Sequence, residues 1–464
     1  MDYDQVFCAT LRTSSLRSLA AVAAKFGLSM RRWDFVAAYL QGELQPDEVV
    51  YCYAPPGHAT LGKDGRPRIC RVERPIYGMA QAGRRWQRTI FPWLIAHGLA
   101  ATDGDPCVFE QRRTVQTPAG PRDEMLFVGC YVDDLFILYS HDDEHSLYHQ
   151  FSTSLQADWA VEDEGPVSDL LNVEITQTGD SVVLTQTAYI DKLVDTYMPG
   201  GVPTRFRRNG GPCSEALPKL IHEATLHKLA PDPVILAEYQ SIVGAELYAS
   251  THTRPDVSYA VGQLSRAMAY PTEELLEAAR RVLAYLHYTR ELGLTYEADN
   301  QPLRGFSDSD WAVRHSTSGW VFTLAQAAIS WGSKKQKSVS LSSCEAEIIA
   351  ASEAAKEAVY TSRFLRELGV KDVTSDAPSS TPTATRLQVD NQGAIELAYN
   401  PQHHDRSKHI DRRHFFIREL VENGELVVNY VNTVDNIADF FTKCLSPSRF
   451  VAMRDQIMNI SPES

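Results

Sequence analysis

Apolar residues recur along the chain with two different spacings, which predict different elements. In residues 14–26 they recur at the spacing of one helix face, whereas residues 31–35 are typical of a short strand. Residues 125–130 and 135–139 are apolar runs on either side of a short polar break, a pattern typical of a β-hairpin. The first part of the chain is therefore predicted to mix helix and strand.

The rest of the chain divides into a helical stretch and a second mixed stretch. Residues 238–289 are predicted to be mainly helical, and strands and helices alternate again after about Gly305. Turn-forming residues crowd residues 199–233 and 371–386, so both stretches are predicted to be exposed loops. Together these patterns predict the α+β fold class.

Composition narrows the class of protein. The chain has 464 residues, of which 44% are hydrophobic and 22% are charged, which is a globular composition. The length suits about three domains. No run of about 18 uninterrupted apolar residues occurs, so no membrane span is expected, and the first residues lack the apolar core of a signal peptide. The 8 cysteines include no CxxC pair, which favours free thiols in a reducing compartment over a zinc knuckle or a disulfide framework.

The charge balance gives two opposing indications. A formal net charge of -14 argues against a nucleic-acid-binding protein when it is taken alone. Local basic clusters argue the other way, because they can either follow a phosphate backbone or form ordinary solvated faces. The clusters are Arg84, Arg85 and Arg88; Lys334, Lys335 and Lys337; and Arg406, Lys408, Arg412 and Arg413.

A first group of carboxylates interrupts apolar strands. Asp133 and Asp134 lie between the two runs of the predicted hairpin, and Asp34 ends the strand at residues 31–35. A solvated hairpin tip is the simplest interpretation of the adjacent pair alone. Unpaired carboxylates among strands would cost several kcal/mol, which a divalent cation could offset. Two-metal nucleotidyl transfer needs carboxylates from separate strands around ions about 4 Å apart, so we expect the three side chains to lie within about 4–6 Å of one another.

Four segments around these residues resemble one family. DFVAAYLQGEL begins at Asp34, RVERPIYGMAQAGRRW spans residues 71–86, DPCVF spans residues 105–109, and YVDD spans residues 131–134. In this order and spacing they resemble the motifs of copia-type reverse transcriptases, from Pol polyproteins of retrotransposons with long terminal repeats. The resemblance implies a right-hand polymerase with palm and fingers, followed by a helical thumb and connection.

The resemblance also implies roles for individual residues. Asp34, Asp133 and Asp134 would be catalytic and would hold two Mg²⁺ (or Mn²⁺) ions. Tyr39 would be the steric gate that excludes a ribose 2′-hydroxyl; an ordinary core tyrosine is the alternative. The substrate-binding residues that it implies are Tyr39, Tyr77, Gly78, Gln81, Arg84 and Tyr131.

A second group of carboxylates follows Gly305. Asp308, Glu347, Asp390 and Asp439 are expected on a strand, a helix, a strand and a helix. Ser342 and Glu345 have the spacing of a capping box, which places Glu347 one turn inside its helix and near its apolar face. Each acid alone would more simply be a surface carboxylate.

As a set, these four acids resemble the Asp-Glu-Asp-Asp site of ribonuclease H. The segments ISWGSKKQKSVSLSSCEAE, VDNQGAIELAYNP and KHIDRRHFFIREL resemble the copia version of that α/β domain. The resemblance implies that all four acids are catalytic and together hold two Mg²⁺ (or Mn²⁺) ions, which activate water against an RNA phosphodiester. The basic stretch at residues 334–337 would meet the phosphates of the hybrid.

Two further motifs are weaker. His403, His404, His409 and His414 suggest either a metal site or a basic helix start that contacts nucleic acid, and their spacing favours the latter. Residues 57–63 imitate a phosphate-binding loop but lack a Ser or Thr after Lys63, so that interpretation is rejected.

The chain departs from the family at several points. It begins within the polymerase domain as the family has it, so a basic strand of the fingers is expected to be missing. The lysine that the family has at Ala80 is replaced, and the loop at residues 312–315 is shortened. We therefore expect hydrolysis to be more robust than polymerisation.

These observations combine into one prediction of organisation and function. The boundaries predicted are residues 1–199 for palm and partial fingers, 200–302 for thumb and connection, and 303–464 for a ribonuclease H-like domain. The function predicted is RNA-directed DNA synthesis with ribonuclease H activity, acting on an RNA template, a DNA primer, an RNA–DNA hybrid and deoxynucleoside triphosphates, in cytoplasmic particles or the nucleus. The alternatives are a decayed or domesticated fragment that binds nucleic acid without polymerase activity, and a fragment with hydrolase activity alone.

Overall fold

A computed structural model describes most of the chain, namely residues 6–58, 60–206, 211–310, 315–340, 342–370, 384–399 and 411–461. The chain forms two compact units. Unit 1 comprises Met1–Ser15 and Leu28–Val167, and unit 2 comprises Leu16–Gly27 and Ser168–Ser464. Helix α1 (Thr13–Phe26) supplies residues to both units. Within the described ranges, no helix is both long and apolar enough to cross a bilayer.

Unit 1 is organised around a six-stranded antiparallel sheet and a separate two-stranded ribbon. Its elements after α1 are β1 (Ser29–Phe35), α2 (Ala38–Gln41), β2 (Val50–Tyr53), β3 (Ile69–Val72), α3 (Ala82–Ala96), β4 (Ala100–Ala101), β5 (Val108–Thr117), β6 (Gly120–Tyr131), β7 (Asp134–Tyr139), α4 (Leu147–Asp158) and β8 (Val161–Pro166). The large sheet has the order β4-β5-β6-β7-β1-β8, and β2 pairs with β3. The hairpin predicted at residues 125–139 is β6–β7, and the strand predicted at residues 31–35 is β1.

Aromatic side chains fill the core of unit 1. Trp33 and Phe35 of β1 pack with Trp86 of α3, and all three are almost fully buried. The Phe35 and Trp86 rings meet edge to face with centroids 4.8 Å apart, a favoured geometry for aromatic pairs. Because β1 alternates, burying Trp33 and Phe35 turns Arg32 and Asp34 toward the other face of the sheet.

Unit 2 contains a helical layer and two sheets. Its elements are β9 (Asp169–Leu170), β10 (Val173–Thr178), β11 (Ser181–Thr185), α5 (Thr187–Tyr197), α6 (Leu217–His227), α7 (Pro233–His252), α8 (Ser258–Leu264), α9 (Glu273–Tyr288), β12 (Leu294–Glu297), β13 (Arg304–Ser309), β14 (Thr317–Leu324), β15 (Ala327–Lys335), α10 (Ser343–Glu367), β16 (Thr385–Val389), α11 (Gln392–Tyr399), α12 (Asp411–Glu422), β17 (Leu426–Tyr430) and α13 (Pro447–Met458). Short 3₁₀ helices occupy Pro255–Val257, Ser265–Ala267 and Ile437–Phe441.

The five-stranded sheet of unit 2 combines both kinds of strand pairing. Its order is β15-β14-β13-β16-β17, with antiparallel pairs among the first three strands and parallel pairs from β13 to β16 and from β16 to β17. A second sheet of order β12-β11-β10-β9 is antiparallel. Sheets and helices of these kinds confirm the α+β class. The boundaries at residues 199 and 302 stay predictions.

One predicted loop contains a helix. Residues 199–233 were expected to be loop because of their proline and glycine, yet α6 forms within them. Its residues Leu217, Ile221 and Ala224 lie three or four positions apart, and all are buried against the helical core of unit 2. Burial of this short apolar stripe stabilises the helix despite its turn-rich flanks. Residues 371–383 of the second predicted loop lie outside the described residues.

Candidate active sites

The register of β1 against β7 brings the first carboxylates together. The two strands are antiparallel, and Asp34 stands directly opposite Asp134. The Phe35 N–H donates to the Asp133 carbonyl oxygen at 2.9 Å, which fixes the hairpin turn beside the end of β1. All three aspartates are partly exposed at this end of the sheet. We call them the hairpin group.

The hairpin turn itself is strained. Val132 has φ 57°, in the left-handed region that a β-branched residue rarely adopts. The indole Nε1 of Trp86 donates to the Val132 carbonyl oxygen at 2.6 Å. Strain of this kind costs about 1–3 kcal/mol and persists only where its surroundings hold it. The buried tryptophan therefore fixes the turn that carries Asp133.

An arginine of β1 lies among the acids. The Arg32 guanidinium is 2.9 Å from Asp134 Oδ1 and 3.0 Å from Glu164 Oε2. Burial together with the carboxylates of Asp134 and Asp133 raises the pKa of Asp34 to about 6, and Arg32 opposes that rise. The hairpin group thus has an internal counter-charge. Sequence reasoning missed Arg32, although its position two residues before Asp34 on the same strand face was a usable signal.

The predicted gate tyrosine lies in an aromatic pair. The Tyr39 and Tyr77 rings have centroids 4.5 Å apart, and Ala37 precedes Tyr39's helix with φ 52°. The Tyr77 hydroxyl donates to Asp133 Oδ2 at 3.2 Å. Burial and the Asp133 carboxylate raise the pKa of Tyr77. Tyr77 thereby links Tyr39 to the hairpin group.

The other predicted substrate-binding residues differ in availability. Gly78 is exposed with φ 94°, and a Cβ there would meet nothing within 4 Å. Tyr131 ends β6 opposite Asp134 and is partly exposed. Gln81 is buried, and its amide donates to Glu48 Oε1 at 2.8 Å. Arg84 donates to the Phe7 carbonyl oxygen at 3.1 Å. Gln81 and Arg84 are therefore held by protein contacts.

The second carboxylates form a tighter cluster in unit 2. Asp308 is on β13, Asp390 follows β16, and Glu347 lies in the first turns of α10. Because β13 and β16 are parallel neighbours, the ends of both strands meet at one edge of the sheet. In the described part of the chain, these are the three acids whose ligand oxygens all lie within 4.8 Å of one another. We call them the buried group.

Local sequence explains how α10 delivers Glu347. The Ser342 hydroxyl accepts from the Glu345 N–H at 3.1 Å, so the helix begins where the capping pattern predicted. Glu347 is 6% exposed; its Oε1 accepts from the Ser309 N–H at 3.2 Å, and its Oε2 is buried without a hydrogen-bond partner. Burial and the carboxylates of Asp308 and Asp390 raise the pKa of Glu347 well above its ordinary value. An unpartnered buried oxygen suits a metal ligand.

Asp308 is surrounded by residues of the 3₁₀ segment near the end of the chain. The Thr442 hydroxyl donates to Asp308 Oδ2. Gly319 faces Asp308 across the strand pair, and a Cβ there would lie 2.7 Å from the Thr442 methyl group. Burial and the nearby Asp439 raise the pKa of Asp308 to about 7. The glycine lets the segment approach the sheet closely enough for this hydrogen bond.

Asp439 lies beside the buried group, but it forms ion pairs with two basic side chains. It is fully buried on the 3₁₀ helix Ile437–Phe441 and lies 2.5 Å from both Lys443 Nζ and Arg449 Nη2. Its predicted helical position is confirmed in this 3₁₀ form. Sequence reasoning missed Thr442, Lys443 and Arg449. The spacing from Asp439 to Lys443 was the available signal, since residues four apart on a helix are neighbours.

Several sequence predictions concern residues that the structure does not describe. His403, His404 and His409, the side chain of His414 and residues 311–314 lie outside the described residues. Residues 57–63 lie between the strands of the β2–β3 ribbon and precede no helix, which agrees with rejecting a phosphate-binding loop.

Sequence comparisons show which known proteins the chain resembles. A family model described as reverse transcriptase (RNA-dependent DNA polymerase) matches residues 1–202. A retrovirus-related Pol polyprotein from transposon TNT 1-94 of Nicotiana tabacum is 31% identical over 98% of this chain, and that from transposon RE1 of Arabidopsis thaliana is 34% identical over 97%. The chain spans 33% and 29% of those two relatives.

A shorter relative and a solved structure complete the comparison. A transposon Ty5-1 protein of Saccharomyces cerevisiae is 30% identical over 70% of this chain and 99% of its own length. A foamy viral protease-reverse transcriptase in complex with an RNA/DNA hybrid is 12% identical, with a TM-score of 0.48, and the match covers 92% of this chain and 47% of that one.

Proposed function

Because the chain belongs to the copia-type family of retrovirus-related Pol polyproteins, we propose that it is an RNA-directed DNA polymerase with ribonuclease H activity. One observation carries the proposal: the chain holds two separate groups of strand-associated carboxylates, the hairpin group and the buried group. Residues 1–199, 200–302 and 303–464 are assigned as palm with partial fingers, thumb with connection, and ribonuclease H-like domain.

In the polymerase reaction the hairpin group would hold two Mg²⁺ or Mn²⁺ ions. When bound, such ions activate the primer hydroxyl and stabilise charge on the leaving phosphate. Residues of the chain would position these carboxylates and limit the space beside the nucleotide. Arg32 holds Asp134 in position, and Tyr77 holds Asp133. Tyr39, packed against the tilted ring of Tyr77, would close the space that a ribose 2′-hydroxyl needs.

In the hydrolase reaction Asp308, Glu347 and Asp390, with Asp439 beside them, would hold the cations. Oxygen ligands of this kind suit Mg²⁺ and Mn²⁺, and the unpartnered Glu347 oxygen supports that fit. When bound, the cations activate water toward the RNA phosphodiester. Thr442 keeps the Asp308 carboxylate oriented.

The partners follow from this assignment. The polymerase would use an RNA template, a DNA primer and deoxynucleoside triphosphates, and the hydrolase would act on the resulting RNA–DNA hybrid. The net charge of -14 means that contacts with nucleic acid must be local and must use basic clusters such as residues 334–337.

The proposal is tested by asking whether single substitutions abolish one of the two activities and spare the other. The purified chain with Mg²⁺ would be assayed for primer extension on RNA and for cleavage of the RNA strand in a hybrid. Asp134→Asn should abolish extension and spare cleavage, whereas Asp390→Asn should do the opposite. Asp103→Asn and Asp180→Asn, both at exposed positions, are matched controls.

The alternatives give different results in the same assays. Hybrid binding without either reaction, from a folded wild-type chain, would identify a non-catalytic nucleic-acid-binding fragment. Cleavage without extension would leave only the hydrolase assignment. Loss of both activities in both variants would contradict two independent sites.

A further inference from the structure

A cavity of about 740 Å³ opens in unit 2, and its described lining residues include none of the carboxylates that the proposed reactions use. One wall is α6, a second is α8 with the turn after it, and a third is the end of β15. Its volume is within the usual range for pockets that bind small molecules. The described residues that line it are Pro218, Lys219, Ile221, His222, Thr225, Tyr259, Gln263, Arg266, Asp310, His315 and Lys335.

Basic residues outnumber acids in the described lining. Arg266, Lys219 and Lys335 are cations and Asp310 is the one acid among the described lining residues, although Lys219 also pairs with Glu223 at 3.8 Å. Asp310 already accepts from the Thr317 N–H and, at 3.2 Å, from the Thr317 hydroxyl. The excess of cations therefore attracts an anion.

Arg266 is the strongest indication of a ligand. Its Nη2 donates to Thr317 Oγ1 at 3.0 Å, but its Nε is buried without a hydrogen-bond partner. No carboxylate in the described ranges lies within ion-pair distance of it. The nearby Asp310 carboxylate compensates part of the charge of this half-buried guanidinium, and the planar fork of the guanidinium matches phosphate oxygens.

Two further polar side chains face the same space without partners. Gln263 is 3% exposed, lines the cavity and makes no side-chain hydrogen bond within the described residues. The Nδ1 of His315 is buried and also lacks a partner. Because buried polar groups are normally hydrogen-bonded, the His315 nitrogen marks a position where a polar group of a ligand would lie, and the Gln263 amide can contact the same ligand.

We propose that this cavity is a phosphate-binding site in which Arg266 is the principal anchor and Lys335 a second cation. The phosphate belongs either to a nucleic-acid backbone or to a free polyphosphate; both present the same oxygens to the site. This inference goes beyond the proposed reactions: it uses none of the carboxylates assigned to them, and it shares only Lys335 with the basic stretch at residues 334–337 that is proposed to meet the hybrid.

The test measures binding without divalent cations, so that neither proposed reaction can proceed. The probes are inorganic pyrophosphate, followed by calorimetry, and a labelled RNA–DNA hybrid, followed by anisotropy at several salt concentrations. The variants are Arg266→Gln and Lys335→Gln. Arg363→Gln is the matched control, because Arg363 is paired with Glu425 and does not line the cavity.

We expect Arg266→Gln to weaken phosphate binding about tenfold, the effect of one charge-assisted hydrogen bond. If the source is a nucleic-acid backbone, hybrid affinity falls and the logarithmic salt slope decreases by about 0.7–0.9. If the source is a free polyphosphate, pyrophosphate affinity falls and hybrid affinity does not. Lys335 is exposed, so Lys335→Gln gives an independent reading should Arg266→Gln fail to fold.

Equal binding of both probes by wild type, Arg266→Gln and Lys335→Gln would overturn the site. So would an equal loss in Arg363→Gln, since that would indicate general surface charge. These outcomes leave the proposed reactions untouched, because primer extension and hybrid cleavage are measured separately with Mg²⁺.

Discussion

The hairpin group and the buried group use the same kinds of residues under opposite conditions. The hairpin group is partly exposed, and Arg32 stands 2.9 Å from Asp134 as a built-in counter-charge. In the buried group Asp308 is 3% exposed and Glu347 is 6% exposed, and no described lysine or arginine lies within ion-pair distance of them. The hairpin group has a direct ion pair with Arg32, whereas the buried group has only the more distant charge of Lys443 acting on Asp308.

The two groups therefore differ in how their charges affect the stability of the fold and the binding of a cation. Repulsion between buried carboxylates destabilises the fold unless they are protonated or bound to a cation. The buried group therefore costs stability in the absence of a bound cation, and under the proposed function a bound cation would offset that cost. The hairpin group costs less, since Arg32 offsets part of its repulsion, but Arg32 also competes with any cation that approaches Asp134.

The largest effect is expected at the buried group. Asp308→Asn should reduce hybrid cleavage at least about a thousandfold, because it removes a charged ligand with little change of shape. It should also stabilise the metal-free fold at pH 8. The pKa of Asp308 is about 7 in the fold against an ordinary value near 3.8, so the folded chain binds more protons between these values and loses stability as pH rises through them.

The measurements for Asp308→Asn are cleavage rates with Mg²⁺ and urea unfolding in chelator at pH 5 and pH 8. The stability gain should be large at pH 8 and small at pH 5. A variant less stable than wild type at pH 8 would show that the buried group is not strained by its charge.

The next effect concerns selectivity at the hairpin group. Tyr39→Val should reduce discrimination against ribonucleotides by roughly tenfold or more, since a steric wall is removed beside Tyr77, which contacts the hairpin group. Single-nucleotide primer extension with paired deoxy- and ribonucleotides measures this ratio. Tyr77→Phe keeps the ring that packs against Tyr39 and removes only the hydroxyl that donates to Asp133, so it should slow extension without changing the ratio. Unchanged discrimination in Tyr39→Val would make Tyr39 an ordinary packing residue.

A smaller effect should follow from removing the counter-charge. Arg32→Gln should increase Mg²⁺ affinity at the hairpin group several-fold, because one competing cation is lost, and should raise the pKa of Asp34 further above about 6. The matched control is Arg31→Gln on the same strand, which pairs with Asp163 instead. Magnesium titration of primer extension at two pH values distinguishes the variants. Weaker Mg²⁺ binding in Arg32→Gln would mean that Arg32 supports the cation site.

The smallest effect is expected at Glu246, a carboxyl group that is destabilised by burial rather than by repulsion from neighbouring carboxylates. Glu246 of α7 is fully buried in the helical layer, and neither of its oxygens meets a donor with good geometry among the described residues. Burial raises its pKa well above the ordinary value, so the folded chain keeps a proton there and loses stability as pH rises above about 4.5. Glu246→Gln should therefore stabilise the chain by about 1–2 kcal/mol at pH 8 and less at pH 5.

Urea unfolding at both pH values measures the gain from Glu246→Gln. The control is Glu238→Gln on the same helix, where an ion pair with Arg280 at a partly exposed position should make the change small. A gain that does not depend on pH would contradict a buried proton at Glu246.

Sequence patterns located the strand ends and the helix start that carry the acids, because those signals are local. The apolar runs of β6 and β7 and the Ser342 cap each involve neighbouring residues. The partners of those acids were not predictable in the same way. Arg32 meets Glu164 because β1 and β8, distant in sequence, pair in one particular register. Thr442 meets Asp308 because the 3₁₀ helix Ile437–Phe441 packs against β13 and β14. Helix α6 was missed because proline and glycine in its flanks outweighed a short apolar stripe.

The parallel pairing of β13 with β16 has a consequence for the order of folding. A hairpin such as β13–β14 closes a short loop, but Gly305 can meet Leu387 only after about eighty intervening residues have been synthesised and a long loop has closed. Asp308 and Asp390 therefore come together late, whereas β14 and β15 can pair early. Under the proposed function, cation binding by the buried group would require completed pairing of this sheet, and a nascent chain that stops before Asp390 would lack the proposed hydrolase site.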